Sequence, residues 1–305
     1  MNKTSFTFKS TDSIHTLKGN LYIPDFEPKG FFHHVHGMCD HKERYDSFLH
    51  EMCCAGYVCV AYDNLGHGET ACDDSELGYF AKKDGYKFLA EDVFAVSEKM
   101  KQEYPDLPYY LMGHSMGSFI VRLAVAEHPE IADKLVIMGT AGPNRAFGPA
   151  LALTNMIKLF CGEKHYSPFL ENIAFGAYNK RFGGDVPGDW LSKDPEVRKA
   201  FDADRFCNFH FTSSALHDLV KINAVVNSKK WFESVDKSLP ILLVSGADDP
   251  VGDYGKGVLA VYKKLRDAGT DAKLKLYKNN RHELLNDTAR DEVISDILGF
   301  IEKAR

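Results

Sequence analysis

The chain lacks any uninterrupted apolar run of the roughly 18 residues that a membrane span needs, so no transmembrane helix is predicted. It has no block of lysine and arginine, and its formal net charge is −6, which argues against nucleic acid as a partner. There is no P-loop and no Gly-x-Gly-x-x-Gly behind a strand, so no nucleotide cofactor is called for. The opening Met1-Asn2-Lys3-Thr4-Ser5-Phe6 has no apolar core, which predicts the absence of a secretory signal and a cytoplasmic protein. A disulfide framework is also missing. The seven cysteines are odd in number and scattered, and Cys53, Cys54 and Cys59 fall in apolar helix-like or strand-like runs. That pattern predicts reduced, buried thiols. His33, His34, His36, Cys39 and His41 invite a metal, but their spacing fits no zinc signature. Three of them lie in or beside a strand that turns alternate residues to opposite faces. No metal and no other cofactor is expected.

What remains is an ordinary globular composition over 305 residues, 44% hydrophobic and 26% charged. Thr4–Lys9 and Thr16–Ile23 alternate as an antiparallel pair around a turn at Ser10–Ser13. Phe31–Val35 is a short apolar strand. Arg44–Ala55 has helical spacing, with Gly56 as its stop. Tyr57–Tyr62 is apolar throughout, as in a strand buried on both faces of a parallel sheet. A helix over Tyr86–Glu103, a strand at Tyr109–Met112, a helix over Ser118–Glu127 and a strand at Leu135–Met138 follow. Strand Ile241–Ser245, helix Tyr254–Ala268, strand Lys273–Tyr277 and a helix near Asp287–Lys303 close the chain. Alternating strands and helices predict an α/β fold, a mostly parallel sheet with helices on both faces.

The alternation stops between the strand at Leu135–Met138 and the strand at Ile241. About 95 residues there have helical and irregular character, five prolines and many aromatics. So long a stretch cannot be structureless in a compact domain. It predicts a core of residues 1–140 and 237–305, with an inserted helical cap at 141–236.

The chemistry begins at Gly113-His114-Ser115-Met116-Gly117, between an apolar strand and a helix-compatible run. A serine on a sharp strand-to-helix turn needs almost side-chain-free neighbours two residues away, and glycine supplies them. The helix start also aims backbone N–H groups at developing negative charge. A glycine-rich βα turn without chemistry has the same composition, so the motif needs partners. A serine hydroxyl requires a base, and the base requires an orienting acid. Gly246-Ala247-Asp248-Asp249-Pro250 follows one late strand, and Asn279-Asn280-Arg281-His282-Glu283 follows the last. Both are strand C-terminal ends, where open α/β sheets place ligands. Asp249 is the favoured acid and Asp248 the alternative, though an aspartate before Pro250 would also make a good helix N-cap. Of thirteen histidines, only His282 lies after the last strand. The amides of Met116, after the serine, and Met38, in the loop after an early strand, are the expected oxyanion donors. His36 is expected to anchor that loop by hydrogen bonds. The Gly66-His67-Gly68 turn is assigned no chemistry.

Taken together, His36-Gly37-Met38, Asp63 with Gly66-His67-Gly68, Gly113–Gly117, the Gly246–Asp249 loop and Arg281-His282-Glu283 resemble the monoacylglycerol lipase/lysophospholipase-like branch of the α/β-hydrolases. That branch includes the serine aminopeptidase group. The resemblance covers nearly the whole core. It implies the α/β-hydrolase fold, a serine hydrolase with a cap over an acyl pocket, Asp249 as the acid, and Met38 and Met116 as oxyanion donors. Asn179-Lys180-Arg181-Phe182 and Asp189-Trp190-Leu191-Ser192 resemble bacterial lysophospholipase-like caps. One departure is Leu65, where relatives often carry arginine; it bears on a structural contact, not on the triad.

Ala146–Phe160 is apolar around most of a helix. Such a helix is buried on several sides, or faces an apolar ligand or a membrane surface. The expected substrate is a small-molecule ester or lipid with a medium or long acyl chain, such as a monoacylglycerol or lysophospholipid. Transient membrane contact through the cap and the oligomeric state are left open. The same triad could serve an aminopeptidase or amidase, with cap acids such as Glu163, Glu171 or Asp185 meeting a free amine, or a thioesterase. A non-catalytic ligand receptor would be expected to lack a triad member, and none is lacking. A dehalogenase would carry aspartate at the elbow.

Overall fold

The computed structural model describes residues 1–183, 186 and 188–303; Asp185 lies outside them. In chain order the elements are β1 (Asn2–Lys9), β2 (Thr16–Ile23), β3 (Gly30–Val35), α1 (Asp46–Cys54), β4 (Tyr57–Tyr62), α2 (Gly85–Glu103), β5 (Tyr109–His114), α3 (Met116–Glu127) and β6 (Lys134–Met138). Then come α4 (Phe147–Cys161), α5 (Pro168–Phe175), α6 (Pro195–Ala203), α7 (Ser213–Val226), α8 (Lys229–Ser234), β7 (Ile241–Gly246), α9 (Lys256–Asp267), β8 (Ala272–Tyr277) and α10 (Arg290–Ile301). The eight strands form one sheet in the order β1-β2-β4-β3-β5-β6-β7-β8. The β1–β2 and β2–β4 pairs are antiparallel, and every pair from β4–β3 onward is parallel. This is the α/β-hydrolase arrangement that the alternation and the resemblance predict.

Strand pleating divides the core. Leu135 and Ile137 of β6 pack with α2, α3 and α9 on one face. Val136 and Met138 pack with α1 and α10 on the other. That is why the central strands read as continuous apolar runs. Leu65, the departure noted above, is fully buried in the first of these clusters. All seven cysteines are free, as expected, but Cys54, Cys72 and Cys161 are exposed. Cys54 follows the buried Cys53 by one helical step of about 100°, which turns it away from the core.

Between β6 and β7 the chain forms α4–α8. Helices α7 and α8 pack inward, with Ala215, Leu216, Ile222, Val226, Trp231 and Phe232 in the core. Helix α4 buries only Thr154, whose hydroxyl meets His217 Nδ1 of α7 at 2.9 Å. Its far end shows Met156, Leu159 and Phe160 to solvent, and Phe169 and Ile173 of α5 are exposed too. Leu159 and Phe160 are 75% and 80% exposed. The even spread of apolar residues around α4 thus reflects an uncovered face, not burial on several sides.

Both ends of this excursion meet Arg122 of α3, which is wholly buried. Its guanidinium donates to Thr140 Oγ1 at 3.1 Å, to Asn227 Oδ1 at 3.3 Å and to the Val226 carbonyl, and lies over the Trp231 ring at 4.4 Å. Burial pushes its pKa down to about 9, so it is still a cation at neutral pH.

Candidate active site

Ser115 joins β5 to α3 with φ 54° and ψ −120°, a conformation that a residue with a Cβ adopts only under constraint. The constraint is visible in its neighbours. A Cβ on Gly117 would stand 2.1 Å from the Val35 carbonyl oxygen, and one on Gly113 would stand 2.2 Å from that of Gly117. The Ser115 N–H donates to the Met138 carbonyl at 2.9 Å, pinning the elbow to the end of β6.

Asp249 follows β7 and is fully buried. Its Oδ2 lies 2.9 Å from His282 Nδ1, and its Oδ1 accepts the Val251 N–H at 2.9 Å. Asp248 is half-buried, and its own N–H donates to the Asn280 carbonyl. The helix-cap alternative for Asp249 does not arise, because α9 begins at Lys256 behind Gly255. Burial alone would depress the His282 pKa, but the Asp249 carboxylate outweighs it and holds the imidazole above its ordinary value. With Nδ1 turned to Asp249, Nε2 is the remaining basic nitrogen. A glycine that the sequence did not single out makes room for the ring. Gly139 has φ +62°, and a Cβ there would stand 3.1 Å from His282 Cε1. Gly139 directly follows Met138, which holds the Ser115 amide. Ser115, Asp249 and His282 follow β5, β7 and β8, and Gly139 follows the intervening β6.

The loop after β3 lies against the serine: a Cβ on Gly37 would be 3.0 Å from Ser115 Cβ and 3.6 Å from its Oγ. Met38 is the next residue. Met116 opens α3, where an N–H has no intrahelical acceptor. His36 anchors the loop. The Asn64 N–H donates to its Nε2 at 2.9 Å, so its proton sits on Nδ1, facing the Gly37 carbonyl at 2.8 Å. Burial pushes its pKa down to about 4, which keeps it neutral. His67, to which the sequence gave no role, accepts the Cys39 N–H at 3.3 Å and stabilises the same loop.

Sequence reasoning also missed a polar chain behind the histidine. The Tyr45 hydroxyl donates to Asp40 Oδ2 at 2.6 Å and stands 2.8 Å from His114 Nδ1. His114 Nε2 lies 3.2 Å from the His282 carbonyl oxygen. Arg44 donates to both carboxylate oxygens of Glu283, at 2.9 and 2.6 Å, and to Asp40 at 3.1 Å. Burial would raise Asp40, but Arg44 prevails and holds it below the usual carboxylate range. Among the described residues, His41 alone of the five considered for a metal stands with groups at ligand spacing, Asp204 and Cys207. There its Nε2 is already paired with Asp204 Oδ2 at 2.8 Å. His33 and His34 are core residues; Tyr109 OH meets His33 Nδ1 at 2.9 Å, and the His34 ring lies 3.9 Å from that of Tyr45, tilted by 44°.

The family described as serine aminopeptidase, S33, matches residues 26–289. The chain belongs to this family. Among its relatives, the human monoglyceride lipase is 33% identical over 263 residues, covering 86% of this chain and 78% of that protein. The monoacylglycerol lipase of Mycolicibacterium smegmatis is 26% identical over 301 residues, covering 96% and 98%. A highly thermostable carboxyl esterase from Bacillus coagulans, solved in complex with glycerol, superposes with a TM-score of 0.93 at 33% identity, covering 99% of this chain and 98% of that one. As a member of the S33 family the chain is a hydrolase of the α/β-hydrolase superfamily, as the resemblance implied.

Proposed function

We propose that this ester hydrolase cleaves carboxylic esters of medium or long acyl chains, such as monoacylglycerols or lysophospholipids, through Ser115, His282 and Asp249. The observation that carries the reading is the buried Asp249–His282 pair at 2.9 Å, taken together with a serine in a strained elbow. His282 Nε2 takes the Ser115 proton as the hydroxyl attacks the ester carbonyl, and Asp249 holds the ring and stabilises its charged form. The Met38 and Met116 amides receive the oxyanion. His282 then protonates the leaving alcohol, and water, deprotonated in turn by His282, releases the acid. The relatives named as lipases and a carboxyl esterase favour an ester over an amide. The exposed apolar ends of α4 and α5 suit a substrate presented at a lipid surface.

A series of p-nitrophenyl esters tests the acyl preference. The expected kcat/KM rises from acetate to medium and long chains, and monoacylglycerol in vesicles turns over faster than the same ester dispersed as monomer. Activity confined to acetate would sink this reading, and preferential cleavage of aminoacyl-naphthylamides would favour the aminopeptidase alternative. The pH profile follows from the raised His282 pKa. The base must be neutral, so kcat/KM is lost as pH falls through that value. The acid limb is expected above the roughly 6.5 of an ordinary imidazole. An acid limb well below it would remove His282 as the base.

A further inference from the structure

Residues 190–193, from the stretch between β6 and β7, run along the loop after β8 and are stitched to it. The His282 N–H donates to the Trp190 carbonyl at 3.3 Å, and the Glu283 N–H to the Leu191 carbonyl at 2.8 Å. Ser192 Oγ donates to the Asn286 carbonyl at 3.1 Å, and the Lys193 N–H to Asp287 Oδ2 at 3.2 Å. Arg281 fastens the start of this strap. Its guanidinium donates to the carbonyls of Asp189 and Ser192, the latter at 3.1 Å, and lies over the Phe182 ring at 4.2 Å. From α6, Arg198 pairs with Asp189 Oδ1 at 3.2 Å and donates to the carbonyls of Ser192 and Lys193. The Trp190 indole rests 5.1 Å from the His282 imidazole, with Tyr178 behind it at 5.0 Å.

Asp249 fixes which way the imidazole points. It does not fix where the His282 backbone stands, and that backbone N–H finds its acceptor on the strap, not on the sheet. Misplacement of a reacting group by about 1 Å can cost on the order of 10²-fold in rate. We propose that Arg281 is a positioning residue: by fastening the Asp189–Lys193 strap to the loop after β8, it sets where His282 stands, so that the excursion between β6 and β7 is part of the machinery that moves the proton. This inference rests on the triad reading above.

The test compares Arg281→Met, which keeps the apolar stem but loses the donors, with Arg281→Lys, which keeps a cationic donor. Thermal melting establishes the folded range, and every rate is taken well below it. In Arg281→Met, kcat on a p-nitrophenyl ester and the rate of Ser115 labelling by a fluorophosphonate are expected to fall together, by about 10- to 100-fold, with KM nearly unchanged. Arg281→Lys should recover part of both. Should Arg281→Met not fold, Asp189→Asn, which weakens the pairing of that carboxylate with Arg281 at 3.4 Å and with Arg198 at 3.2 Å, is expected to show a smaller loss with the same pattern. Variants that melt earlier yet keep wild-type kcat and labelling rates would make Arg281 a structural pin only and overturn the proposal. Failure of the triad reading looks different: the wild-type chain would not label at Ser115, or Ser115→Ala would keep its turnover.

Discussion

Ser115→Ala is expected to lower turnover of a p-nitrophenyl ester by about 10⁵- to 10⁶-fold, with the melting temperature unchanged. The magnitude is what loss of the nucleophile costs where the triad members act as one unit. The unchanged stability follows from the local geometry. Alanine keeps the Cβ, so the backbone at φ 54° is no more strained than before. The bonds that hold the elbow, from the Ser115 N–H to Met138 and from Ser118 to the Ser115 carbonyl, are made by the main chain of residue 115. Labelling by a fluorophosphonate should vanish with the activity. A folded alanine variant that kept most of its turnover would show that the chemistry lies elsewhere.

Asp249→Asn is expected to cost about 10⁴-fold in kcat, because an amide in place of the carboxylate forces the wrong tautomer. The asparagine NH₂ would donate to His282 Nδ1, leaving the ring proton on Nε2, where the serine proton must go. The electrostatic consequence has the same origin. Burial lowers the His282 pKa and Asp249 raises it. With the carboxylate gone, burial prevails, and the acid limb of the residual activity should move to lower pH. Asp248→Asn is the control: Asp248 is half-buried and the imidazole pairs with Asp249, so the variant should keep kcat within a few-fold. Equal losses in the two variants would undo the choice of Asp249.

The parts of this molecule that could be read from sequence are those with local causes. The strands Thr16–Ile23 and Tyr57–Tyr62 carry their own alternation or their own apolar run, and the structure forms both over those residues. The elbow was legible because two glycines and a serine state their constraint within five residues. The rest depends on encounters between distant segments. Arg44 and Glu283 are 239 positions apart, and nothing near either residue names the other. Gly139 turns at φ +62° against an imidazole from the far end of the chain, an encounter that no local pattern announces. Asp189-Trp190-Leu191-Ser192 drew notice for its similarity to other caps, but its hydrogen bonds to the loop after β8 have no signature in periodicity. Helix α4 was undecidable for the opposite reason: apolar on nearly every side, it carried no hint of which side would be left uncovered.

The grip of Arg122 has an architectural corollary. The polypeptide leaves the sheet beside Thr140, and α7 ends at Val226 and Asn227 before α8 leads back to β7; one guanidinium holds these two points together. Once two points are pinned, the length of chain between them is cheap to alter; doubling a flexible loop adds only about 0.6 kcal/mol. A foreign excursion could therefore be grafted ahead of α7, provided that this helix keeps Ala215, Leu216 and Ile222 in the core. It would still have to offer carbonyls to Arg281 and to the amides of His282 and Glu283.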